Sequence, residues 1–143
     1  MKKILYLVFV LAMAVSAACF AADYGKGSES AVNVVTAGAY HKITPQEAKE
    51  RMETHPAIVI VDVRSAEEYN AGHIPNAVSL PVEQIEAASD EVARILPDKQ
   101  AEILVYCRSG KRSSRAAHAL VQLGYTDIYD IGGLKDWPYE VVK

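Results

Sequence analysis

Two runs of this chain, Ile58-Val59-Ile60-Val61-Asp62-Val63 and Ile103-Leu104-Val105-Tyr106, carry apolar side chains at consecutive rather than alternate positions. A strand with one face in water alternates with a two-residue period. A continuous run is expected of a strand covered on both faces, as in a parallel sheet packed between helices. The segments around these runs read as helices and further strands. Thr44-Pro45-Gln46-Glu47 supplies a capping hydroxyl, a proline at the first helical position and a glutamate three residues after the cap, predicting a helix to about Thr54. Ser65-Ala66-Glu67-Glu68 is a second capping box and opens a short helix ending near Gly72. Residues 77–80 read as a short strand, 83–88 and 90–96 as helices with Pro97 closing the second, and 127–130 as the last strand. Strands alternating with helices predict an α/β fold with a mostly parallel sheet.

The second run leads directly into Cys107-Arg108-Ser109-Gly110-Lys111-Arg112-Ser113. A helix is expected over residues 113–123, stopped by Gly124 in the left-handed position that follows helices. Cys107 therefore sits where a buried strand ends and a helix begins, beyond the carboxyl end of a strand, where α/β sheets bind ligands. Backbone N–H groups in the first helical turn are unpaired and partly positive, so they attract small anions. A thiol facing them and three cations ionises more readily than a free one, its pKa falling from about 8.5 to roughly 3.5–7.5 in such places. The pattern predicts a thiolate in an anion cradle, the alternative being an inert buried thiol.

The first residues do not read as part of this domain. Lys2 and Lys3 precede an apolar run from Ile4 to Ala14 and then small residues, the pattern of a secretory signal peptide over 1–21. Both Ser16-Ala17-Ala18 and Cys19-Phe20-Ala21 suit a signal peptidase. Ala17-Ala18-Cys19 also resembles a bacterial lipobox, with Ser16 where leucine is usual, so a lipid anchor at Cys19 is the alternative to soluble export. Residues 22–37 are Gly/Ser-rich and read as a flexible lead-in, which leaves 38–143 as the folded domain. Either fate of the leader makes Cys107 the only free thiol of the mature protein, so no intrachain disulfide is expected. Removing Lys2 and Lys3 leaves thirteen basic residues against eighteen acidic ones, a formal charge of −5. An acidic protein with one basic loop is not expected to bind nucleic acid, but it can select small anions there.

Asp62-Val63-Arg64-Ser65-Ala66-Glu67-Glu68-Tyr69, Gly72-His73-Ile74-Pro75-Asn76-Ala77, the Cys107 loop and Gly132-Gly133, in this order, resemble the rhodanese family over about residues 38–143. A leader followed by one such domain resembles the small periplasmic rhodaneses of bacteria, the phage-shock type among them. The resemblance implies a three-layer fold with a central five-stranded, mostly parallel sheet, and a thiosulfate sulfurtransferase that needs no metal or organic cofactor. It implies that Cys107 takes the outer sulfur of thiosulfate, releases sulfite and passes the sulfur from a persulfide to cyanide or a thiol. Arg108, Ser109, Gly110, Lys111, Arg112 and Ser113 are then the substrate-binding loop, with Lys111 and Arg112 expected to meet the sulfonate and Arg108 a more exposed third cation. Asp62, Arg64, His73, Gly132 and Gly133 are expected to support structure. Arg64 is expected to pair with Glu67 or Glu68, and the two glycines to bring main chain close to the sulfur pocket. Trp137 is read as a core aromatic, with a wall of that pocket as the alternative. His41, His55 and His118 lack metal-ligand spacing.

Two other functions compete. Related folds place a cysteine in a phosphate or arsenate loop, but those loops have five residues between cysteine and arginine. Here Arg112 is itself the fifth residue after Cys107, and the sixth is Ser113. A carrier module that accepts sulfur from one exported partner and delivers it to another would use the same residues as the enzyme. A single acidic domain is expected to be monomeric.

Overall fold

The computed structural model describes residues 39–143. The expected signal peptide (1–21), the lipid anchor at Cys19 and the lead-in (22–37) lie outside the described residues. Five strands form one sheet: β1 (Tyr40–Lys42), β2 (Val59–Asp62), β3 (Val78–Ser79), β4 (Ile103–Cys107) and β5 (Ile128–Gly133). Their order is β1-β5-β4-β2-β3, and every neighbouring pair is parallel. Helices α1 (Pro45–Thr54), α2 (Ala66–Ala71), α3 (Val82–Glu86), α4 (Asp90–Ile95) and α5 (Lys111–Gln122) flank it, and a 3-10 turn covers Leu134–Asp136.

The continuous apolar runs are explained by a core on each side. Val61 and Val63 of the β2 segment and Ile103, Val105 and Cys107 of β4 pack with Ala116, Ala117 and Leu120 of α5 and with Val82 and Ile85 of α3. Ile60, Leu104 and Tyr106 point the other way, into a cluster with Ala48 of α1, Ile74 and Trp137. Ile103, Leu104, Val105 and Tyr106 are fully buried. At about 1.5–3 kcal/mol per buried aliphatic side chain, β4 is a main anchor of the domain. Trp137 belongs to the core on the face opposite Cys107, so the wall-of-pocket alternative is not what it does.

Both capping boxes form: Thr44 Oγ1 accepts the Glu47 N–H and Ser65 Oγ the Glu68 N–H, while each glutamate returns to the cap's own N–H. Gly124, at φ +93°, ends α5. The differences are at edges. Helix α5 starts at Lys111 rather than Ser113, because Gly110 in a left-handed conformation turns the chain into it at once. Strand β5 runs on through Gly133 instead of stopping at Asp130. β1 has no counterpart in the sequence reading. Tyr-His-Lys carries no apolar period, and what makes it a strand is pairing with β5, Tyr40 opposite Ile128.

Candidate active site

The carboxyl ends of β2, β4 and β5 meet at one edge of the sheet, and Cys107 closes the middle strand with no exposed surface. From there Arg108, Ser109 and Gly110 wrap back over the sulfur before α5 begins. Gly110, at φ +93°, points its N–H at Cys107 Sγ, 3.0 Å away. A side chain at that φ would be strained, which explains the glycine. Ser113, one turn into α5 and fully buried, places Oγ 3.7 Å from the sulfur. The same hydroxyl lies 3.1 Å from the Gly110 carbonyl and 3.4 Å from that of Gly132, and its one proton turns to the sulfur when the thiol is ionised. Burial pushes the Cys107 thiol up, but the Ser113 N–H and hydroxyl and the N–H groups of Ser109 and Gly110 outweigh it, and the net shift is downward. Donors that surround a sulfur in this way favour its anionic form.

The cations of the loop divide into two kinds. Arg112 commits both terminal nitrogens to Glu68, Nη1 to Oε2 at 2.6 Å and Nη2 to Oε1 at 2.8 Å. Arg108 and Lys111 are exposed and have no carboxylate within ion-pair distance among the described residues. Glu68 is also the capping glutamate of α2, so one carboxylate links the start of α2 to the start of α5. The Arg112 guanidinium holds the Glu68 carboxyl at about 2, against an ordinary value near 4.5. A carboxyl lowered on folding adds stability above its unfolded pKa and loses it as the pH falls through the folded one. Glu68→Gln keeps a capping side chain but not the charge. The wild type should therefore resist urea better than this variant at neutral pH, with the gap closing between about pH 4.5 and pH 2. A gap unchanged at the acid end would assign the effect to packing instead.

Gly133 is what lets β5 approach the loop. A β-carbon there would fall 2.5 Å from the Arg108 carbonyl oxygen and 2.8 Å from Ser109 Cα, closer than real contacts allow. Register decides this placement. Val105 pairs with Asp130 but Tyr106 with Gly132, so Ile131 is an extra residue in β5, and the bulge brings Gly133 opposite Cys107.

Asp62 and Arg64 form a separate group at the end of β2, which reaches the turn before His73 only through the Gly72 carbonyl. Arg64 does not pair with Glu67 or Glu68 as the sequence suggested. It folds back on Asp62, with Nε at 2.9 Å and Nη2 at 2.6 Å from the carboxylate, and Nη2 also donates to the Gly72 carbonyl. The reason is burial: Asp62 is fully buried and needs a counterion, whereas Glu68 is drawn to Arg112 from outside. The Asp62 carboxylate also accepts the Tyr106 hydroxyl at 2.8 Å, and that hydroxyl accepts the Ile74 N–H at 3.0 Å. His73 stacks on Tyr69 at 3.8 Å, with Nδ1 3.0 Å from the Tyr69 carbonyl.

Residues 44–139 match the family described as Rhodanese-like domain. The chain belongs to the rhodanese-like domain family. It is 35% identical over 83 residues to the thiosulfate sulfurtransferase PspE of Escherichia coli, an alignment covering 58% of this chain and 77% of that protein. It is likewise 35% identical over 99 residues to the thiosulfate sulfurtransferase GlpE of Coxiella burnetii, covering 68% and 87% of the two chains. A solved structure described as a rhodanese with anions from E. coli superposes with a TM-score of 0.55 at 34% identity, over 61% of this chain and 99% of that one.

Within this rhodanese site, sequence reasoning missed Glu68 as the partner of Arg112, and it missed Asp130. Asp130 is buried, and its Oδ1 accepts the Gly132 N–H at 2.9 Å while Oδ2 accepts the Tyr40 hydroxyl at 3.1 Å. It thereby holds the bulge that sets Gly133 against the loop. The signal for it was an aspartate two residues before a glycine at a strand end, the spacing at which a carboxylate accepts the main-chain N–H two residues on. Asp130→Ala should lower unfolding stability by about 1.5–3 kcal/mol, the range for hydrogen bonds to a charged group. Asp130→Asn, which keeps an acceptor for the Gly132 N–H, should restore much of it. Equal losses in a urea titration would show that the Gly132 contact is not what Asp130 supplies.

Proposed function

We propose that the protein is an exported thiosulfate sulfurtransferase. The observation that supports this best is the Cys107 sulfur, buried, with the Gly110 N–H at 3.0 Å and its thiol shifted downward by the loop's own donors. In the first step the Cys107 thiolate attacks the outer sulfur of thiosulfate. A bond forms between Sγ and that sulfur, the original sulfur–sulfur bond breaks, and sulfite leaves with the bonding pair. The resulting persulfide is anionic, and the Ser109, Gly110 and Ser113 N–H groups that favour the thiolate also favour its charge. In the second step cyanide, or a thiolate, attacks the terminal sulfur and Cys107 departs as thiolate, ready for another cycle. Arg108 and Lys111, which have no carboxylate partner among the described residues, receive the sulfonate. Arg112 holds the loop in place through Glu68.

The leader over 1–21, with its basic start and apolar middle, supports export to the periplasm, where Cys107 would be the sole thiol of the mature chain. The test is to treat the full chain with thiosulfate, measure intact mass, and then add cyanide. One added sulfur, followed by thiocyanate and return to the original mass, is the expected result. No sulfur gained from thiosulfate, polysulfide or an organic persulfide would sink the reading.

A further inference from the structure

Beside the Cys107 loop lies a concavity of about 380 Å³, lined by Arg64, Glu68, Ala71, Arg108, Leu134 and Lys135. It is a shallow groove open to solvent rather than an enclosed cavity. Two elements bring it to the loop. Glu68 on one wall is tied to Arg112, and the Lys135 N–H on the other donates to the Arg108 carbonyl at 3.4 Å. Ala71 and Leu134 give it an apolar surface. Its charges are not balanced. Arg64 is matched by Asp62 and Glu68 by Arg112. Arg108 has no carboxylate partner among the described residues, and Lys135 has only Asp136, at 3.8 Å with both side chains more than half exposed. An exposed pair at that distance is worth little, so two cations at the rim are free to meet an anion. This stands out in a chain whose formal charge is −3.

Resting on the sulfurtransferase reading above, we infer that this groove is the acceptor subsite, and that it selects thiols carrying a carboxylate on an apolar stem. The stem lies along Ala71 and Leu134, and the carboxylate meets Lys135 and Arg108. The acceptor thiolate attacks the terminal sulfur of the Cys107 persulfide, forming the acceptor persulfide as the Cys107 sulfur leaves with the bonding pair. No oxidant or reductant is consumed. Lys135 is the specificity-determining residue, since Arg108 also serves the donor anion.

The test uses the full chain, loaded with sulfur from thiosulfate, and compares mercaptohexanoate with its uncharged analogue mercaptohexanol. The two thiols share a chain and differ only at the head, so intrinsic reactivity nearly cancels in the ratio of their kcat/KM values. That ratio should favour the acid about fivefold or more, fall about fivefold in Lys135→Glu, and shrink in high salt, as expected of exposed charge pairs. Equal use of the two thiols by the wild type, or a ratio unmoved by Lys135→Glu, would overturn the inference. Thiocyanate formation from cyanide separates the two readings. If cyanide is converted and neither thiol is, the subsite assignment is wrong and the sulfurtransferase reading stands. If the protein takes up no sulfur, both fall.

Discussion

Cys107→Ser is expected to abolish sulfur uptake from thiosulfate and to lower thiocyanate formation at least about a thousandfold, the scale seen when a catalytic nucleophile is removed. The loss is chemical rather than structural. The serine oxygen is smaller than sulfur, can accept the same Gly110 N–H and has the Ser113 hydroxyl as a neighbour, so the buried position stays hydrogen-bonded. A hydroxyl does not ionise near neutrality, however, and the loop donors that stabilise a thiolate have no anion to act on. Urea unfolding of the variant should therefore stay close to wild type while intact mass shows no added sulfur. The full chain holds one other cysteine, Cys19, so Cys19→Ser is the matching control and should load normally. Sulfur retained by Cys107→Ser and lost by Cys19→Ser would place the chemistry elsewhere.

Asp62→Ala is expected to be the most damaging single change to the fold, at about 3–5 kcal/mol, because it leaves a buried charge without its counterion. The Arg64 side chain is only 7% exposed, and Asp62 receives its Nε, Nη2 and backbone N–H together with the Tyr106 hydroxyl. Set against a total stability of about 5–15 kcal/mol for an ordinary domain, that loss is enough to bring the variant near unfolding at growth temperature. Exchanging both partners, Asp62→Leu with Arg64→Met, removes the orphaned charge and should recover a large part of the loss. Urea midpoints of the single and double variants check this. A single variant less than about 1 kcal/mol below wild type would show that Arg64 finds another partner or reaches water.

The continuous apolar runs at residues 58–63 and 103–106 were enough to read buried parallel strands, because a strand covered on both faces needs apolar side chains at every position. The capping boxes at Thr44 and Ser65 were readable because their hydrogen bonds span only three residues. Cys107 with Arg108, Gly110 and Ser113 was legible for the same reason: strand end, turn and helix start are one continuous stretch of chain. β1 was not legible, since three residues without an apolar period become a strand only by pairing with β5, far along the chain. Nor was Arg64's choice of Asp62, which burial decides, nor the separation of Arg112 from Arg108 and Lys111, which depends on Glu68, forty-four positions earlier, arriving at the loop.

Sequence alone thus determined the sheet type, the place of the Cys107 thiol at a strand end and the run of N–H groups around it, because each is set by neighbours along the chain. The tertiary structure decided which cations are free for an anion, how close β5 comes to the sulfur through the Ile131 bulge and Gly133, and which acid balances which base. Those outcomes rest on contacts between distant segments, where burial and register choose among partners that look alike in the sequence.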